Sequence, residues 1–224
     1  MCQLSHIEVE EQPLSTLVCT HLICQTCEII DNDQDRQRTG HLCSTCGTPN
    51  ECGTFAFTPD IRNLADLIQQ TYHSHTPQTT FSNMLPGSDI ATILFYCTLR
   101  ECLLSSFLIK NLRTRKIDSL LIERLLDDNK LAHQKFNNLF CSVTGTKWDK
   151  ALTAIHVRTG QDFKRVSQHM QEAAKLRNDF LHNGKFRYID KSFSEACINT
   201  LGELFDLFAE LHNEYNHPII KQAL

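Results

Sequence analysis

Four cysteines in two short pairs, Cys24-x-x-Cys27 and Cys43-x-x-Cys46, are the residues of this 224-residue chain whose spacing speaks most directly of chemistry. Fifteen residues separate the pairs. A Cys-x-x-Cys turn aims two thiolates at one point, and two such turns close a tetrahedral sulfur shell with metal–sulfur distances of about 2.3 Å. A closed shell keeps no open coordination position, so the expected cofactor is a structural Zn2+. The chain has 11 cysteines, six of them within the first 46 residues. An odd count in paired spacing fits metal binding better than a disulfide framework. Cys19, His21, His41 and Cys52 lie close enough to be alternative ligands. A redox use of Cys-x-x-Cys has no surrounding βαβ pattern to support it. Such a module can replace a missing core, touch nucleic acid or hold a protein partner, and the cysteines alone do not choose among these.

Around these pairs the stretch 18–57 resembles a zinc ribbon. The polar run DNDQDRQRTG between them suits a ribbon tip. Gly47 follows the second pair, as is usual in that family, whereas Glu28 occupies the matching place after the first.

A second group of residues lies far downstream. If residues 160–183 form one helix at about 100° per residue, Phe163, Val166, Met170, Ala173, Ala174 and Leu181 share an apolar stripe. Arg177 falls in the middle of that stripe. A guanidinium does not sit unpaired in a core, so Arg177 must meet a carboxylate or open onto a cleft. A helix over 89–112 poses the same puzzle, with Glu101 among Ile90, Leu94, Cys97 and Leu108. The simplest resolution pairs Glu101 with Arg177 across the two helices, an arrangement compatible with a purely structural role. His182 follows Arg177 by five positions, with Asn178 one turn before it. A lone histidine at a helix end commonly does no more than interact with the helix dipole. On an ideal helix Arg177 and His182 diverge by about 140°, so one straight helix does not aim both at one atom.

The run Arg177-Asn178-Asp179-Phe180-Leu181-His182 on a late helix resembles the R-x4-6-H motif of HEPN domains, and the helical order of residues 88–216 agrees with that family. The resemblance implies Arg177 and His182 as a catalytic pair and Asn178 as the accompanying polar residue; Glu101, paired with Arg177 by the reading of the two helices, joins them as a candidate site residue. It implies a metal-independent RNA endonuclease of the toxin or defence type that acts as a homodimer, with two copies of the motif helix forming one cleft. Other family members have lost activity, so the alternative is a non-catalytic RNA-binding, dimerisation or adaptor module. The chemistry is sound in itself. RNA carries its own nucleophile in the 2′-OH, an imidazole exchanges protons near neutral pH, and a guanidinium stabilises charge on phosphorus oxygens.

The elements that would position these groups follow from pattern. Pro59 opens a short helix over 59–72 with the stripe Ile61, Leu64, Leu67 and Ile68. Residues 73–88 have linker composition, which divides the chain into a ribbon at 18–57, a short helix and linker at 58–87 and a helical domain at 88–217. Helices are expected at about 89–112, 116–128, 130–142, 147–157, 160–183 and 192–215, with stops at Thr144-Gly145 and Asn183-Gly184 and a capping box from Ser192 to Glu195. The expected fold class is mainly α: a HEPN-like helical bundle behind a small N-terminal β zinc ribbon.

Composition limits the function. At 41% hydrophobic residues the chain can bury a core, and its net charge of −4 argues against a wholesale polyanion binder, so any RNA contact must use local patches. Lys110-Arg113-Arg115-Lys116 and Lys185-Arg187 are such patches by sequence, although a solvated surface is their more common use. His73 and His75 sit in the linker, and His133, His156, His169, His212 and His217 show no ligand spacing. Cys97, Cys102, Cys141 and Cys197 read as small core residues. The most apolar run, Ile90 to Ile109, carries Arg100 and Glu101 mid-way and is expected to be a buried helix with no membrane role. The opening residues MCQLSHIEVEEQ lack a basic then apolar leader, which leads to the expectation of a cytoplasmic protein; a regulatory protein partner is a separate expectation.

Overall fold

Alternating short β-type runs beside the cysteines produce a three-stranded antiparallel sheet, and the periodic remainder produces helices. The computed structural model describes residues 21–31, 40, 42–49, 54–74, 87–185 and 191–215. Strands β1 (Leu22–Ile23), β2 (Ile30–Asp31) and β3 (Thr54–Phe55) lie in the order β2-β1-β3. Leu22 is the hinge of the register, opposite Asp31 on one side and Phe55 on the other. The fold is mainly helical, as the pattern predicts.

Helix α1 (Pro59–His73) starts with Pro59 behind an extended Thr58 and buries Ile61, Ala65 and Ile68. Leu67, expected on that face, is 40% exposed, and Ala65 takes its place. The long α2 (Gly87–Thr114) forms the centre. Tyr96, Cys97, Leu99, Leu103, Leu104 and Leu108 are all at most 1% exposed, so its apolar residues are buried on nearly every side. It is long and apolar enough to cross a membrane, yet more than half of its most apolar window (56%) is buried against the protein's own helices.

Around it run α3 (Ser119–Asp128), α4 (Ala132–Gln134), a π-helical turn at Lys135–Leu139 that continues into α5 (Phe140–Thr144), α6 (Trp148–Thr159), α7 (Lys164–Asn183), α8 (Lys191–Asn199) and α9 (Leu201–Tyr215). Two expected elements differ. The helix expected at 130–142 is interrupted by the π-helical turn. The helix expected at 192–215 breaks at Thr200, whose hydroxyl donates to Ala196 O at 2.8 Å and lies 3.2 Å from the Tyr96 hydroxyl.

The sheet and the helices share one hydrophobic core that runs from Ile30 and Phe57 through Phe205 and Phe208. Polar side chains fasten the sheet to α9. His21 donates from Nε2 to Asp206 Oδ1 at 2.8 Å, with its ring stacked on Phe205 and edge-on to Phe57. His212 Nε2 donates to Glu28 O at 3.0 Å. The Asn213 amide binds both backbone groups of Ile30, accepting from its N–H at 2.8 Å and donating to its carbonyl at 2.9 Å.

Candidate functional sites: a thiol cluster and a cationic cleft

Each cysteine pair sits on a tight knuckle. In the first, Cys24 N donates to Ile29 O and Cys24 O accepts from Glu28 N; in the second, Cys43 N donates to Thr48 O and Cys43 O accepts from Gly47 N. The two turns share one backbone device, a left-handed residue at equivalent places: Glu28 with φ 56° and Gly47 with φ 70°. Glu28 thus differs from Gly47 in residue type but not in conformation.

These turns bring the four sulfurs of Cys24, Cys27, Cys43 and Cys46 within 4.8 Å of one another. Cys24 Sγ lies 3.7 Å from Cys46 Sγ, and Cys27 Sγ lies 3.4 Å from Cys43 Sγ. A tetrahedron of thiolates about 2.3 Å from a central ion has edges of about 3.8 Å, so the spacing fits a bound metal and not a disulfide. Burial pushes the Cys27 and Cys43 thiols up, while the Thr48 hydroxyl and N–H beside Cys46 hold its thiol down at about 6. Four soft donors in one shell suit a single thiophilic ion. His21 does not join the cluster: neither of its ring nitrogens lies with the four sulfurs, and its Nε2 donates to Asp206 Oδ1. Cys19, His41 and Cys52 lie outside the described residues.

The second site is a cleft of about 1030 Å³. Helix α7 builds one wall. It buries Val166, Ser167, Met170 and Ala173 against the core, and Phe180 packs on that core while Leu181, expected there, is 57% exposed. The helix stops at Gly184, whose φ of 60° takes the chain out of the helix as Asn183-Gly184 predicts. The turn at Lys135–Leu139 and the start of α6 build the facing wall, with Phe136 and Trp148 packed edge to face.

Arg177, Asn178 and His182 all line this cleft. The ideal-helix divergence of Arg177 and His182 therefore does not send them to different surfaces. Arg177 meets the expected partner: its Nη1 donates to Glu101 Oε1 at 2.8 Å. On its other edge Nε and Nη2 donate to Asn178 Oδ1 at 3.3 and 3.2 Å. Glu101 and Asn178 thus hold the guanidinium from two sides and fix its plane.

Residues without a motif complete the lining. Arg100, Lys147, Lys175 and His133 also face the cleft, against the carboxylates of Asp149 and Asp179. Four permanent cations, counting Arg177, therefore outnumber the two lining carboxylates and the adjacent Glu101 on a chain whose net charge is −4. Arg100 is only 3% exposed, and burial lowers its pKa from the ordinary arginine value. The one sequence signal for Arg100 was its place within an apolar helix; the others carried none. The basic run Lys110-Arg113-Arg115-Lys116 is not among the cleft's lining residues, and Arg187 lies outside the described residues. Among the other histidines, His169 stacks on Phe193, His156 contacts Gln161 O, and His212 serves the sheet. His75 and His217 lie outside the described residues. The chain matches no family model, no curated protein and no solved structure.

Proposed function

We propose that the cleft binds RNA and cuts it without a catalytic metal, with Arg177, Asn178 and His182 as the working residues. One observation carries the reading: three residues singled out by their sequence pattern line a single cleft whose permanent charge is positive on an acidic protein. His182 takes the proton of the 2′-OH as O2′ attacks phosphorus. The bond to the 5′-oxygen breaks, and that oxygen receives a proton from a second acid, supplied by His182 of a second copy or by water. The products are a 2′,3′-cyclic phosphate and a 5′-hydroxyl. Arg177, oriented by Asn178 and Glu101, stabilises the charge on the phosphorus oxygens. The four cysteines hold one structural Zn2+, which keeps the sheet against α9 and takes no part in the reaction.

The test is RNA cleavage by wild type and His182→Ala in chelator, with fold and zinc content verified after incubation. His182→Ala is expected to lose roughly 10²-fold or more, the range for a general acid–base group. Because His182 is exposed, the variant is expected to melt as wild type does. Intact RNA with the wild-type protein, or equal cleavage by the variant, would overturn the enzyme reading. Sedimentation tests the second copy: a homodimer at micromolar concentration is expected, and a monomer that still cleaves would remove the partner histidine from the mechanism. A non-catalytic RNA-binding module is the second reading. It is favoured by the engagement of Arg177 with both Glu101 and Asn178, which leaves few guanidinium donors for a transition state. Binding without cleavage would select it.

A further inference from the structure

Glu101 faces two arginines. Its Oε1 receives Arg177 Nη1 at 2.8 Å and lies 3.6 Å from Arg100 Nη2. Arg100 spends Nη1 on Met170 O at 2.9 Å, its guanidinium lies 5.3 Å from the centroid of the Phe136 ring, and its Nε meets no acceptor among the described residues. Its side chain is 4% exposed. A guanidinium desolvated to that degree carries a large electrostatic cost unless an anion faces it. The single carboxylate of Glu101 is shared, so one positive charge at this place is left without its counterion. Both arginines line the cleft, and the exposed Lys147 and Lys175 line it too.

We propose that Arg100 and Arg177, bridged by Glu101, form a receptor for one phosphate group in the cleft. Guanidinium donors suit a tetrahedral oxyanion, and the Phe136–Trp148 wall beside them offers an apolar surface to a base or sugar. The phosphate is therefore that of a nucleic-acid backbone, seated beside His182. The anion site stands on the charge imbalance alone; only the identity of the phosphate's owner rests on the RNA reading. Arg100 binds and positions, and no proton passes through it.

The experiment uses the full zinc-loaded chain. Nitrogen-15 spectra of the arginine Nε–H groups are recorded during titration with inorganic phosphate, with a 2′-deoxy dinucleotide that has a phosphodiester but cannot be cleaved, and with uncharged adenosine. Trp148 is the sole tryptophan of the chain and lines the cleft, so its fluorescence gives the affinities. The Arg100 and Arg177 signals are expected to move saturably with both phosphate ligands and to stay in place with adenosine. The dinucleotide should bind at least tenfold tighter than inorganic phosphate. Arg100→Lys keeps the charge but loses the fork and is expected to weaken dinucleotide binding tenfold or more. Glu101→Gln removes the competing carboxylate and is expected to tighten phosphate binding severalfold, a sign that a merely structural ion pair would not produce. If Arg100→Lys fails to fold, the wild-type spectra and Glu101→Gln decide. No movement of the Arg100 signal with either phosphate ligand, or weaker binding by a folded Glu101→Gln, overturns the receptor. Equal affinity for inorganic phosphate and dinucleotide overturns the nucleic-acid assignment. Phosphate binding without RNA cleavage sinks the ribonuclease reading and leaves the receptor standing.

Discussion

Arg177 is held by two neighbours of different kinds, a charged oxygen on another helix and an amide oxygen on its own. Removing Glu101 strands two guanidiniums, whereas removing Arg177 leaves Glu101 with Arg100. The two losses should therefore be unequal. In a double-mutant cycle of Glu101→Gln and Arg177→Met, the coupling is expected to be about 1–3 kcal/mol, as found for groups in direct contact. Urea unfolding of the four proteins measures it, and additive losses would show that the pair contributes no specific stability. The Glu101–Arg177 contact was legible in the sequence because a charge on an otherwise apolar stripe needs a partner. Arg100 stood out only as a charge in an apolar run, and its sharing of Glu101 was not legible, since adjacent residues of one helix show no pattern that joins them to a common partner. Leu181 and Phe180 show the same limit: adjacent apolar residues at a helix end compete for the core, and the stripe's periodicity does not decide between them.

At the scale of elements, the paired knuckles invite a comparison between two turns of the same shape and different sequence. Left-handed backbone costs a residue with a Cβ about 1 kcal/mol or somewhat more, and glycine avoids that cost. Glu28→Gly is expected to raise stability by up to about 1 kcal/mol, since the φ of 56° is already glycine's territory. Gly47→Ala should lose about the same amount, because a Cβ there meets nothing within 4 Å and only backbone strain remains. Thermal melts of the metal-loaded protein check both, and no gain from Glu28→Gly would mean that its side chain offsets the strain. The knuckles were readable from four cysteines because metal geometry tolerates few alternatives. The break at Thr200 and the π-helical turn were not, for each depends on partners distant in the chain: Tyr96 for the first, and for the second the Trp148 ring packed on Phe136 and the Ser105 hydroxyl that accepts from Lys135 Nζ.

For the whole molecule, the sheet is built into the helical core instead of hanging from it. Phe57 and Phe205 meet edge to face with centroids 5.0 Å apart, and His21 closes over both. Metal removal is therefore expected to lower the melting temperature of the helical signal itself, by several degrees or more, through loss of a ligand that binds only the folded state. Circular dichroism before and after chelation, with elemental zinc content, checks this. An unchanged helical melt would make the cysteine module an independent appendage. The same attachment has a consequence for the protein's behaviour in a crowded solution. Strand β2 is at the edge of its sheet, where unpaired amide and carbonyl groups ordinarily recruit strands from other chains and seed aggregates. The Asn213 amide occupies both backbone groups of Ile30, so a side chain from α9 plays the part of the missing neighbour strand. This protein blunts that edge with one amide, so the edge stays covered only while α9 keeps its seat.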